Sequence, residues 1–208
     1  INNSPNSNSF LSVPYFYAIS MNKDMTLTPR FYTDDKLLIQ TEYRQVNSES
    51  NHIADFSIYK QKDLNSKSHF FYKFNKAVNF AYFEESNLNL NIEKTSNDTY
   101  LKGSKLTSPI IENYDVLENS LNLSFYSNDL SIESDLIIYE DLTKNNNSDR
   151  YEFILPNLNF SKKLENKTNL NGNFLFNSNN LIRNYQTNIF EKTNINDLIF
   201  NSNPSITK

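Results

Sequence analysis

Histidine is the side chain most often used to move protons near neutral pH, and here it occurs only at His52 and His69. They have no His-x-x-x-His spacing, and the chain has no Cys, so the common imidazole and thiolate metal sets are missing. The lack of Cys also removes disulfides and a thiol nucleophile, while leaving the redox compartment undecided. Glu84 and Glu85 are adjacent. On a strand they turn to opposite faces, whereas a glycosidase needs two acids held across a cleft. Asp34-Asp35 and the run from Asn145 to Asp149 cluster oxygens, but no loop carries the spaced acids and glycine of a calcium hand. They read as solvated turns. A Ser/His/Asp triad is compatible with the composition, although no Gly-x-Ser-x-Gly elbow is present. Two glycines leave no material for a phosphate-cradling loop or a dinucleotide fingerprint. No enzymatic activity and no cofactor is expected.

The 208 residues suit one domain or a piece of a larger one. Lys and Arg total 20 against 24 Asp and Glu, a net charge of −4, so no basic surface calls for nucleic acid. Mean hydropathy is −0.64, and Asn and Ser abound, a composition that can remain disordered. Against this stand 16 Phe and 13 Tyr, residues in which disordered tracts are poor. The arrangement decides between them, because polar and apolar residues alternate.

Met25, Leu27, Pro29 and Phe31 alternate with Thr26, Thr28, Arg30 and Tyr32. Leu37, Ile39, Thr41 and Tyr43 are set against Leu38, Gln40, Glu42 and Arg44, and Ala54, Phe56 and Ile58 against Asp55, Ser57 and Tyr59. The same period recurs at Leu88, Leu90 and Ile92, at Leu121, Leu123 and Phe125, and at Gly172, Phe174 and Phe176. A period of two gives a strand one apolar and one polar face. The chain is therefore expected to be all-β, with antiparallel, hairpin-connected strands numbering about eight to ten. Polar turns separate them at Met21 to Asp24, Thr33 to Lys36, Asn47 to Asn51, Asp63 to Ser66, Lys144 to Asp149 and Asn177 to Asn180, where Asn and Asp tolerate turn geometry that glycine would otherwise supply. Asn97 to Glu118, with Pro109 inside it, is the least regular stretch and is expected to be a long loop. No linker divides the chain, so residues 1–208 are expected to form one domain.

No run of 18 apolar residues exists, so no helix is expected to span a membrane. A barrel strand needs only about ten alternating residues, apolar toward lipid and polar toward the lumen. A soluble β-sandwich or solenoid alternates for another reason, apolar toward a core. Periodicity alone does not separate the two. The chain starts at Ile1 without an initiator Met or a signal segment, and it is expected to be a piece of a longer protein.

Residues 13–46 narrow the choice. Pro14-Tyr15-Phe16-Tyr17, Asn22-Lys23-Asp24, Thr26-Leu27-Thr28-Pro29 and Glu42-Tyr43-Arg44 follow in the order and rough spacing of the opening barrel strands of the LPS-assembly protein family LptD (Imp/OstA, organic solvent tolerance protein). Further on, Ser96-Asn97-Asp98-Thr99-Tyr100-Leu101 resembles that family's Ser-Asp-x-x-Tyr-Leu segment. Tyr139-Glu140-Asp141-Leu142, followed by Tyr151 and Leu155-Pro156, resembles its Tyr-Gln-x-Leu … Leu-Pro run. Departures fall at Met21, where the family often has Pro, at Asp35-Lys36, which replaces an Arg-Gly pair, and at Gln45, which replaces an aromatic.

The resemblance implies the N-terminal third to half of a large transmembrane β-barrel in the cell outer membrane. As a fragment it would form an open curved sheet. The implied function is lipopolysaccharide transport and assembly, with insertion into the outer leaflet through a lateral gate. The implied partners are lipopolysaccharide, the plug lipoprotein LptE, periplasmic Lpt bridge proteins reached through an N-terminal domain, and outer-membrane lipids. Pro14 and Pro29 match the prolines of the family's first two strands, where a missing ladder donor weakens a seam meant to open. Thr26, Thr28, Arg30, Gln40, Glu42 and Arg44 would then line the lumen. Arg30 and Arg44 would meet lipopolysaccharide phosphates or the plug, or else form a cross-strand ion network with Glu42. Another outer-membrane barrel, such as a porin or receptor, and a soluble all-β binding module are the alternatives.

Overall fold

A computed structural model describes residues 9–33, 36–144, 149–165, 170–184 and 190–204. Asp34 and Asp35, expected in a turn, and the run from Asn145 to Ser148 lie outside the described residues. Among the described residues the chain forms twelve strands and one short helix. These are β1 (Phe10–Ser12), β2 (Tyr15–Ser20), β3 (Lys23–Tyr32), β4 (Lys36–Val46), β5 (Ser50–Gln61), β6 (Lys67–Ala77) and β7 (Glu85–Thr95), then α1 (Tyr100–Gly103). After the helix come β8 (Val116–Tyr126), β9 (Leu130–Asp141), β10 (Tyr151–Glu165), β11 (Leu170–Asn184) and β12 (Phe190–Pro204). The strand order is β1-β3-β4-β5-β6-β7-β8-β9-β10-β11-β12, with β2 also paired to β3. The fold is all-β, a single antiparallel sheet that is not closed among the described residues.

The strand number exceeds the expected eight to ten, and the pattern departs from expectation at two places. The edge strand is cut in two at Val13-Pro14, yet Ser12 opposite Arg30 and Tyr15 opposite Leu27 keep one register across the cut. In the Asn-rich part, the stretch from Asn177 to Asn180, expected as a turn, lies inside β11, with Asn177 opposite both Asn159 and Asp197. Ladder hydrogen bonds on both sides outweigh the turn preference of Asn there.

The chain divides into two compact units, Ile1–Phe74 with Asn91–Leu117 and Asn75–Leu90 with Glu118–Lys208. In the first, the register of β3, β4 and β5 sorts side chains by face. Phe31, Leu37 and Lys60 share one row, Pro29, Ile39 and Ile58 the next, then Leu27, Thr41 and Phe56, then Met25, Tyr43 and Ala54. The opposite face carries Arg30, Leu38 and Tyr59, then Thr28, Gln40 and Ser57, then Thr26, Glu42 and Asp55, then Asp24, Arg44 and Ile53. The buried core lies on this second, more polar side. It consists of Leu38 and Phe71 from the sheet with Tyr100, Leu101, Leu106, Ile110, Ile111 and Leu117, all but the last supplied by the segment that joins β7 to β8. The expected long loop is therefore a strap with a helical turn in it.

In the second unit, β10 carries a bulge. Ile154 pairs with Ile137 and Asn157 with Asp135, so Leu155 and Pro156 together oppose one residue of β9. Proline is tolerated at such a place because the bulge already interrupts the ladder. The carbonyl of Pro156 accepts a hydrogen bond from Asn180 Nδ2 at 3.0 Å.

Candidate functional site

Among the described residues, one face of the first unit is apolar and uncovered. Phe31, Ile39, Phe56, Ile58 and Phe70 are 40–52 % exposed, although all but Phe31 sit within the strands, where a soluble sheet would bury its large side chains. From Leu37 to Tyr43 the band is roughly 20 Å tall at the usual rise per strand residue. Its two ends are polar. At one stands Lys60. At the other, Tyr43 donates from its hydroxyl to Gln45 Oε1 at 2.7 Å, Gln45 Nε2 donates to Asn47 Oδ1 at 2.9 Å, and Asn47 Nδ2 donates to Ser50 Oγ at 2.8 Å. His52 Nδ1 lies 2.9 Å from the Tyr72 hydroxyl, and its ring packs 4.7 Å from that of Phe74. Amphipathic aromatic side chains of this kind suit a boundary between apolar and wet surroundings.

The other face is polar and covered by the strap. Helix α1 ends in a complete Schellman motif, with Leu106 N–H donating to Leu101 O at 3.3 Å and Lys105 N–H to Lys102 O at 3.2 Å. Lys105 takes φ 46° where glycine is usual. Leu101 and Leu106, the hydrophobic pair of the motif, are both buried. The turned-back carbonyls of Ser104 and Lys105 then accept bonds from Arg30 Nη1 at 3.0 and 3.1 Å. Arg30 is thus spent on the strap, and the expected ion network with Glu42 does not include it. Arg44 pairs across the strands with Asp24 at 2.8 Å and along its own strand with Glu42 at 3.4 Å. These side chains are partly exposed, so each pair contributes under about 1 kcal/mol.

Deeper under the strap, Gln40 Nε2 donates to both Asp55 oxygens at 3.0 and 3.1 Å and to Thr107 O at 2.8 Å. Ser57 Oγ is 2.6 Å from His69 Nδ1 and 2.6 Å from the Tyr100 hydroxyl. His69 Nε2 stands 3.4 Å from Asp55 Oδ1 without a good hydrogen bond. The donors and acceptors are best satisfied if Tyr100 donates to Ser57 and Ser57 donates to His69. Serine, histidine and aspartate meet here, but with the two imidazole nitrogens exchanged relative to a hydrolase triad, serine on Nδ1 and aspartate near Nε2. All three are also buried, and Tyr100 caps the serine, so no carbonyl reaches Ser57 Oγ while the strap is docked. The cluster acts as a latch. Period-two spacing places Asp55 and Ser57 on one face, but nothing in the sequence pairs them with His69 or Tyr100.

Burial pushes the Tyr100 hydroxyl up to about 12, against smaller opposing effects of the Ser57 hydrogen bond and the Arg30 charge. An unfolded tyrosine ionises near pH 10. The stability tied to this group is therefore complete below about pH 10 and is lost as pH rises through about 12. An alkaline absorbance titration should show a late-ionising tyrosine, and its step should vanish in Tyr100→Phe.

The prolines divide their work along the edge. Val13 N–H donates to Pro29 O at 3.3 Å, which makes this a hydrogen-bonded pair of the ladder. Such a pair normally exchanges two bonds, but Pro29 has no N–H to return. Pro14, one residue on, turns its own backbone away from β3, so its missing donor falls on the outer side of the edge strand. In the second unit, Glu140 Oε1 accepts from Arg150 Nε at 2.9 Å and Nη2 at 2.6 Å and from the Tyr151 hydroxyl at 2.9 Å. Arg150 Nη1 also donates to Lys144 O at 3.0 Å. This buried pair closes the β9–β10 connection within the Tyr139-Glu140-Asp141-Leu142 motif. Among the described residues, no group of three or more His, Cys, Asp or Glu side chains is placed to hold a metal ion.

No protein-family model and no curated protein matches the chain.

Proposed function

We propose that this chain is part of the wall of an outer-membrane β-barrel of the LptD type, which delivers lipopolysaccharide to the outer leaflet. The observation that carries the barrel reading is the inverted distribution of polarity in the first unit. The apolar band faces out uncovered, and the polar face lies inward beneath a strap of the same chain. A lipid-facing wall has this arrangement, and a soluble sandwich has the opposite one. The step from barrel to lipopolysaccharide transport rests on the motif resemblance and on the prolines. In this reading the β1–β2 edge is one side of a lateral seam. Pro29 weakens its attachment to β3, and Pro14 withholds a donor from whichever strand closes on it. The partners are those the resemblance implies, namely lipopolysaccharide, LptE and the periplasmic bridge. Arg30 is buried and its Nη1 is bonded to the strap, which favours a strap-holding role for it over a phosphate-binding one.

The test is to replace Pro14 and Pro29 together by Ala in the full-length protein. Each restored backbone bond is worth roughly 0.5–1.5 kcal/mol and more in lipid. Barrel assembly is expected to survive while surface lipopolysaccharide falls. Normal surface lipopolysaccharide in the double variant would remove the gating role. A porin or receptor would be indifferent to the change.

A further inference from the structure

The apolar band is not uniform. A groove of about 220 Å³ runs between β4 and β5, lined by Leu37 and Ile39 on one side and Phe56, Ile58 and Lys60 on the other. Its volume is below the range of pockets that enclose a whole drug-sized ligand, and it suits a segment of one flexible hydrocarbon chain. Phe56, Ile58 and Lys60 follow at two-residue steps along β5, so the groove ends at a lysine roughly 13 Å from Phe56 along the strand. Lys60 is exposed and lies just before the turn that carries Lys62 and Asp63. An apolar slot closed by a cation matches an amphiphile whose acyl chain lies in the slot and whose anionic head meets the ammonium.

We infer that this groove is a binding site for one acyl chain of a phospholipid with a net-anionic headgroup, held at its phosphate by Lys60. The inference rests on the barrel-wall reading and adds to it a fixed lipid position and a headgroup preference. The β3 residue Phe31 pairs with Leu37 and borders the groove without lining it. The chain contains no Trp, so Phe31→Trp adds one indole to this segment, and the full-length protein without the substitution supplies the fluorescence baseline.

The experiment reconstitutes the full-length Phe31→Trp protein in vesicles of brominated phosphatidylcholine with increasing phosphatidylglycerol, and in the reverse mixture, and reads fluorescence quenching. Phosphatidylglycerol is expected to be preferred about fivefold, the effect of one lysine near an anionic headgroup, and Lys60→Gln should bring the ratio to about one. No preference, or a preference unchanged in Lys60→Gln, overturns the site. Absence of quenching by any brominated lipid overturns the barrel-wall reading instead. Phe70→Trp, on the same exposed face, is the second reporter if Phe31→Trp lowers the yield of folded protein.

Discussion

Tyr100→Ala is expected to release the strap. The side chain is 1 % exposed, touches the rings of Tyr59 and His69 at centroid distances of 6.2 and 6.3 Å, and bonds Ser57. Truncating a buried aromatic side chain costs about 3–5 kcal/mol, through lost burial and the cavity left behind. Here it also strips a partner from the buried hydroxyl of Ser57, which adds a desolvation penalty. The damage should be local in origin. Residues 96–115 should become open to limited proteolysis at a protease concentration that leaves the wild type intact, and the urea midpoint should fall. Tyr100→Phe keeps the ring and loses only the hydroxyl, so its cost should be about 1 kcal/mol and its strap should stay protected. A Tyr100→Ala strap as resistant as the wild type would mean that the apolar residues alone hold it.

The second large effect is expected at Glu140. Removing one member of a buried ion pair leaves the other charge desolvated and alone, at about 3–5 kcal/mol. Glu140 and Arg150 are 8 % and 6 % exposed, and Glu140 Oε1 also accepts from Tyr151, so Glu140→Ala strands three donors at once. Replacing both charges, in Glu140→Ala/Arg150→Met, should recover most of the loss, because an apolar pair needs no partner. Thermal or urea unfolding of the single and double variants checks this. A double variant no better than the single one would show that Arg150 matters through Lys144 O and not through Glu140.

The legible part of this fold was its period. The alternation through residues 25–58 told which residues share a face, and the register agrees for Thr26, Thr28, Arg30, Gln40, Glu42 and Arg44, which all lie on one side. What period two does not say is which face is covered. That depends on where residues 96–115 go, and the strap gives little local signal. Its helix is a single turn, and it closes with a lysine in a conformation that favours glycine. The latch was illegible for the same reason, since Tyr100 and Thr107 come to Ser57 and Gln40 from far along the chain. The misreading at Asn177 to Asn180 has a different cause. Ser178 is buried and the strand pairs on both sides, so long-range hydrogen bonding overrode local turn preference. The weak Ser96 to Leu101 motif turned out to mark the piece of chain that covers the polar face.

The central claim is that the apolar band of the first unit lies against lipid. The chain has no Cys, so a cysteine added to it is read against the otherwise identical full-length protein as the labelling blank. Ile58→Cys, mid-band, and Met21→Cys, fully exposed in the β2–β3 turn, should be treated in intact membranes with a membrane-impermeant maleimide. The account predicts rapid labelling at position 21 and almost none at position 58 until the membrane is dissolved and the protein unfolded. Labelling at 58 as fast as at 21 in the intact membrane would put the band in water and contradict it.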